Sequence, residues 1–267
     1  MHIYTVDSFT DQFFKGNPAG VCILDNPAPD SWMQDLAAEM RHSETAFLLA
    51  GEPGEPYSLR WFTPKVEVDL CGHATLAAAH VLYSTGSVPD ALRFTTRSGI
   101  LSTTRDDFGL ISMDFPAKVL KEVSPPEGLL EALGVEPRWV GRNVWDYLVE
   151  VESEEAVRAA SPDLRALEAV DARGIIVTAE ASQPGVDYVS RFFAPRAGVP
   201  EDPVTGSAHC ALAPLWSDRL GSNTLVGAQV SERGGLIRTT VRGDRVELAG
   251  RAVTILSGEL HALPPQP

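Results

Sequence analysis

RWFTPKVEVDLCGHATLAAAH, residues 60–80, has a counterpart in RFFAPRAGVPEDPVTGSAHCALA, residues 191–213. Each copy opens on arginine, an aromatic residue, phenylalanine, a variable residue, proline and a basic residue. After a loop, each closes on a glycine followed by an alanine-rich run. The offset is 131 residues, close to half of the 267-residue chain. A self-match at a fixed period is the mark of an internal duplication. The front of each copy reads as a strand and then a turn. The tail reads as a short helix that is apolar around most of its circumference, the pattern of a helix buried inside a domain. The chain is therefore expected to hold two similar halves, each built around one buried helix.

The rest of the sequence supports short, alternating elements. Strands are expected at 19–24, 45–50, 59–62, 92–96, 99–104 and 110–115, and helices at 30–40 and 72–83. In the second half, helical pieces are expected at 126–133, 154–160, 164–169 and 206–220, with Pro214 kinking the last one or ending it early. Strands are expected at 146–151, 174–178, 187–193, 227–231, 236–241, 245–249 and 252–258. Many strands with one buried helix per half favour two α+β domains of mixed or antiparallel sheet over a βαβ array. Lys, Glu, Ser and two prolines cluster within 117–126, which places the boundary so that the domains are 1–118 and 119–267. The last residues could pack back on the first domain.

Composition narrows the function. There are 22 basic against 36 acidic residues, a net charge of -14, and a field of that sign repels nucleic-acid phosphates. No run approaches the roughly 20 apolar residues that span a bilayer. Three cysteines (Cys22, Cys71 and Cys210) and a start unlike a secretory signal predict reduced thiols in a cytoplasmic protein.

The two repeated helices offer N-termini, each with unpaired N–H groups and about half a positive charge. Gly72 and Gly206 let a ligand come close to the backbone. Such ends suit a small carboxylate, held by local dipoles in an otherwise anionic protein. Around them lie Asp69, Cys71, His73 and Thr75 in one copy, and Glu201, Asp202, Thr205, Ser207 and His209 in the other. A carboxylate, an imidazole and a hydroxyl beside an anion site are the parts of proton-transfer chemistry. Asp69 and Asp202 can equally be helix-start caps. His80 reads as a core histidine, and Cys22 and Cys210 as buried fillers. Glu44 follows a helix and enters an apolar strand, where it is either a solvated loop residue or a general base with a raised pKa. Cys71, His73, His209 and Cys210 could be imagined around zinc, but neither CxxC nor HExxH is present, so no metal is expected. There is no nucleotide-phosphate motif and no GxSxG elbow.

Taken together, DSFTDQFFKGNPAGVCIL (7–24), SETAFL (43–48), residues 60–82 and residues 190–216 resemble the PhzF-like, or phenazine-biosynthesis-like, family, and more distantly diaminopimelate epimerase. GNPAGV, CGHAT and EDPVTGSAH carry the resemblance in combination. It implies two pseudo-twofold-related domains, each a barrel-like, mostly antiparallel sheet around a central helix, with the site in the cleft between them. It implies cofactor-independent isomerisation or epimerisation of a small carboxylic acid, and a homodimer. Position by position, Glu44 resembles the general acid/base. His73 and Asp202 resemble residues that surround the substrate, and Gly72, Gly206 and Ser207 the backbone and side chain that hold its carboxylate. Diaminopimelate epimerase is similar at Cys71 but has a second cysteine, where this chain reads Asp202-Pro203-Val204. An epimerase using Cys71 and a non-catalytic carboxylate binder remain the alternatives.

Overall fold

The computed structural model describes residues 1–52, 54–86 and 88–265. The chain divides into two compact units: Met1–Asp114 together with Ala249–Pro267, and Phe115–Leu248. Among the described residues, no helix is long and apolar enough to cross a membrane.

The first unit contains β1 (His2–Ser8), β2 (Asn17–Leu24), α1 (Asp30–Met40), β3 (Glu44–Leu49), β4 (Tyr57–Phe62), β5 (Glu67–Val68), α2 (Gly72–Thr85), β6 (Ala91–Thr96), β7 (Gly99–Arg105) and the start of β8 (Ile111–Pro116). β1 is antiparallel to β2, β2 is parallel to β3 across α1, and β3 is antiparallel to β4. β4 is then parallel to β6 across α2, and β6 is antiparallel to β7. The alanines explain the position of α2. Ala74, Ala77, Ala78 and Ala79 are completely buried, as are Leu76 and Val81. Their small side chains let the helix lie against β1, β2 and β3. Truncating Leu76 to alanine should cost about 2–5 kcal/mol, the usual range for a buried leucine.

The β1–β2 connection ends at Gly16, whose φ is +66°; a Cβ there would lie 2.1 Å from the Ser8 carbonyl oxygen. Any other residue would strain the backbone and push apart the ends of β1 and β2, which pair Ser8 with Asn17.

The second unit contains β9 (Lys121–Glu122), α3 (Leu129–Leu133), β10 (Pro137–Arg142), β11 (Asp146–Val151), α4 (Glu154–Ala159), α5 (Leu164–Leu167), β12 (Gly174–Glu180) and β13 (Tyr188–Phe193). A 3-10 turn over Pro195–Ala197, α6 (Gly206–Leu220), β14 (Thr224–Gln229), β15 (Gly235–Arg242) and most of β16 (Arg245–Gly250) follow. β10 is antiparallel to β11, β11 is parallel to β12 across α4 and α5, and β12 is antiparallel to β13. β13 is parallel to β14 across α6, and β14 is antiparallel to β15. This is the pairing order of the first unit, so the repeat read in the sequence is also a repeat of topology. Each unit is α+β, its strands antiparallel except where a helix crosses over.

β1 and β10 were not anticipated. β10 begins with a proline and carries two arginines in six residues, and β1 has few strongly apolar positions, so neither shows a clear strand pattern. The final strand, β17 (Ala252–Glu259), pairs antiparallel with β1 from His2↔Glu259 to Ser8↔Ala252. α6 has the expected bounds, Gly206–Leu220, and Pro214 does not end it early. A proline has no N–H for the carbonyl four residues back. That carbonyl belongs to Cys210, and it accepts instead from the Lys118 N–H at 2.9 Å. With its acceptor satisfied from outside the helix, the interruption is tolerated.

Candidate active site

In both copies the loop that delivers the repeated helix is clamped by the repeated arginine. Arg60 donates through Nε and NH2 to the two oxygens of Glu67, both at 2.7 Å. Arg191 makes the same fork to Glu201, at 2.7 and 2.9 Å. Paired N–H···O bonds between planar groups fix orientation as well as distance. Glu201 is thereby a structural residue rather than a free acid.

Neither helix is capped by a side chain. The N-cap of α2 is Cys71 and that of α6 is Thr205. Asp69 and Asp202 therefore do not cap these helices. Asp69 is exposed, with Arg97 at 3.8 Å. Asp202 Oδ2 accepts from the Thr205 hydroxyl at 2.5 Å.

At the start of α2, three chemically different groups converge. Glu44 opens β3 three residues beyond the left-handed C-cap Arg41 of α1. Its Oε2 lies 3.3 Å from His73 Nε2; the two side chains are 19% and 7% exposed. The other ring nitrogen, Nδ1, lies 3.5 Å from Cys71 Sγ. Ser43 Oγ is 3.2 Å from His73 Nε2 and donates to Asn17 Oδ1 at 3.4 Å. The backbone is held as well, since Ser8 Oγ donates to the His73 carbonyl at 2.7 Å. An imidazole protonated on Nε2 donates towards Glu44 while Nδ1 accepts from the thiol. Burial pushes the Glu44 carboxyl above its ordinary value, while hydrogen bonds from Ser43 and Cys71 pull it back in part. A carboxyl group raised in this way, next to an imidazole, is suited to accept a proton and to return it.

The start of α6 is organised differently. Gln229 accepts from the Thr205 N–H through Oε1 at 2.8 Å and donates through Nε2 to the Asp202 carbonyl at 2.7 Å and to Thr205 Oγ1 at 3.1 Å. The Ser207 hydroxyl accepts from Arg173 at 3.1 Å, and Arg173 also forks onto Asp146. His209, two residues after Ser207, points elsewhere. Its Nδ1 lies 2.9 Å from the Tyr188 hydroxyl, and its Nε2 is buried with no hydrogen-bond partner among the described residues. Complete burial pushes its pKa down to about 3, so it is a neutral core residue.

Sequence reading missed Ser43, Asn17, Arg173 and Gln229. Asn17 lies inside GNPAGV and Ser43 inside SETAFL, so the motifs held a signal for those two. Arg173 and Gln229 come from strands and loops remote in sequence, where spacing shows nothing. Of the four residues that could be imagined around zinc, Cys71 and His73 do meet, and Glu44 lies beside them; the three ligand atoms lie within 4.8 Å of one another. Cys210 and Cys22 are buried as expected, and burial pushes the Cys22 thiol up to about 12. His80 is partly buried, with Nε2 3.1 Å from Thr254 Oγ1.

Comparison with known proteins shows the family. The chain is 49% identical over 261 residues to an uncharacterised isomerase of Halalkalibacterium halodurans, covering 97% of each chain. A crystal structure of a PhzF-family phenazine biosynthesis protein from Enterococcus faecalis superposes with a TM-score of 0.92 at 41% identity, covering 97% of this chain and 98% of that one. A hydroxyproline epimerase from Agrobacterium vitis shares the fold alone, with a TM-score of 0.59 at 12% identity and coverage of 97% and 91%. The sequence profile of the phenazine biosynthesis-like proteins matches residues 6–258, almost the whole length, and the chain is a member of that PhzC–PhzF family.

Proposed function

We propose that this protein is a cofactor-independent isomerase that moves a proton between carbons of a small carboxylic acid, with Glu44 as general acid and base. The observation that carries this reading is the half-buried Glu44 carboxyl, raised in pKa and 3.3 Å from His73. The isomerase and PhzF names of the similar proteins support the reaction class. Ionised Glu44 takes a proton from a carbon made acidic by an adjacent carboxylate or a conjugated system. The electron pair of that C–H bond moves into the π-system. Glu44, now protonated, returns the proton at a second carbon or face, and the carboxylate is regenerated. His73 holds the carboxylate of Glu44 in place and adjusts its basicity. The first-turn N–H groups at Gly72 hold the substrate carboxylate and the developing charge, and the family resemblance assigns Asp202, Gly206 and Ser207 to substrate positioning. The resemblance further implies a cytoplasmic homodimer, which light scattering on the purified protein checks for its assembly.

The test is incubation with a panel of α-amino, hydroxy and unsaturated small carboxylic acids in deuterated water, followed by proton NMR. Solvent deuterium at carbon in one of them supports the reading. A ligand-dependent thermal shift with no exchange across the panel would instead mark a carboxylate-binding protein. The contact between Cys71 Sγ and His73 Nδ1 favours a second reading, an amino-acid epimerase with Cys71 as a base. In that case a Cys71→Ser variant loses all exchange while keeping its fold.

A further inference from the structure

We infer that Glu44, Cys71 and His73 form a three-donor site for one borderline-soft divalent cation, with zinc the fitting example. The inference rests on the geometry of the cluster and not on the isomerase reading. A carboxylate, a thiol and an imidazole are the three side-chain types that zinc accepts, and three protein ligands plus one water is its usual open arrangement. Here all three ligand atoms lie within 4.8 Å of one another.

With bonds of about 2.0–2.3 Å, the edges of a tetrahedral zinc site are about 3.3–3.6 Å. The Glu44–His73 contact is 3.3 Å and the Cys71–His73 contact 3.5 Å, each to a different ring nitrogen. A single ion takes only one ring nitrogen, so the widest separation must close by about 1 Å. Rotation about the three side-chain torsions of Glu44 and the single χ1 of Cys71 supplies that. The backbone below stays fixed, with His73 tied through its carbonyl to Ser8 Oγ at 2.7 Å and Thr75 Oγ1 donating to the Cys71 carbonyl at 2.5 Å.

Coordination balances simply. The metal–sulfur bond forms as the thiol S–H proton leaves to solvent, and the imidazole binds through an unprotonated nitrogen. The carboxylate binds in its ionised form, and water fills the fourth position. Affinity therefore rises with pH.

The experiment is a titration of the purified full-length protein with Co²⁺ as a spectroscopic probe, without substrate. One equivalent should bind and produce a thiolate-to-metal charge-transfer band. Cys71→Ser should lose that band and bind at least about 100-fold more weakly, and Glu44→Gln at least about 10-fold, in line with the cost of disturbing a metal ligand set. Cys22→Ser and Cys210→Ser should keep the band. A band that survives in Cys71→Ser, or no binding at millimolar Co²⁺, overturns the inference. If Cys71→Ser does not fold, the wild-type protein still decides. Zn²⁺ should slow alkylation of Cys71 at least tenfold, read by peptide mass spectrometry, and an unchanged rate overturns the site. Because no substrate is used, failure here leaves the isomerase reading standing, and absence of turnover leaves the metal site standing.

Discussion

The starts of α2 and α6 share a frame and differ in chemistry. Each follows a strand whose arginine forks onto a loop glutamate, Arg60 on Glu67 and Arg191 on Glu201. Each begins on a glycine with no side-chain cap. At α2 the surrounding groups are titratable: Glu44, His73 and Cys71 lie in mutual contact. At α6 the surroundings are a locked hydrogen-bond network, with Gln229 bonding both sides of the 202–205 turn and Arg173 on Ser207. Its histidine, His209, is buried and neutral. Duplication has kept the scaffold that presents backbone N–H groups and let the two ends differ, one carrying titratable groups and one a fixed hydrogen-bond network.

The sharpest way to break this comparison is to remove the acid/base from one copy and the acid from the other. Glu44→Gln keeps shape and should lower turnover by about 10²–10⁴-fold, the usual contribution of a positioned general base. Asp202→Asn should lower it by only about 10-fold, mainly through KM, because it positions rather than transfers. Equal losses in kcat would remove the distinction.

The burial of His209 should show in acid. The unfolded chain protonates His209 near the ordinary 6.5, whereas the folded protein resists until about 3. Stability from this group is complete above 6.5 and is lost as the pH falls towards 3, by an amount on the order of 4 kcal/mol. Urea midpoints measured across that range should fall for the wild type and be flatter for His209→Gln. An unchanged slope would show that His209 is not the buried neutral group described.

Gln229→Leu removes the partners of the Thr205 N–H and the Asp202 carbonyl and should cost about 1–3 kcal/mol in chemical denaturation. Its turnover should fall less than that of Glu44→Gln. The smallest effect is expected at Cys71. With Asp202-Pro203-Val204 holding no second thiol, Cys71→Ser should stay within about tenfold of wild-type turnover, and Cys71 should alkylate faster than Cys22, whose thiol burial holds near 12. Faster alkylation of Cys22 would contradict that ordering.

What the sequence disclosed follows from where the information lies. The duplication was legible because the arginine, proline, glycine and alanine positions recur side by side. The clamp was not, since Glu67 and Glu201 follow their arginines by seven and ten residues in loops of different composition. Glu44 could be singled out as an acid entering an apolar strand, but its meeting with His73 depends on β3 and α2 packing together. Arg173 and Gln229 reach the start of α6 from 34 and 24 residues away, beyond any local pattern. That α6 continues past Pro214 was not legible because the outside donor to the Cys210 carbonyl, the Lys118 N–H, lies in another part of the unit.

The central claim is that Glu44 itself carries the proton. The most direct measurement is solvent-deuterium incorporation into bound substrate by Glu44→Gln and wild type at matched ligand occupancy. The account predicts that exchange at carbon falls in parallel with turnover, by the same 10²–10⁴-fold order, while binding persists. Wild-type exchange in the Glu44→Gln protein would contradict it and pass the role to His73 or Cys71.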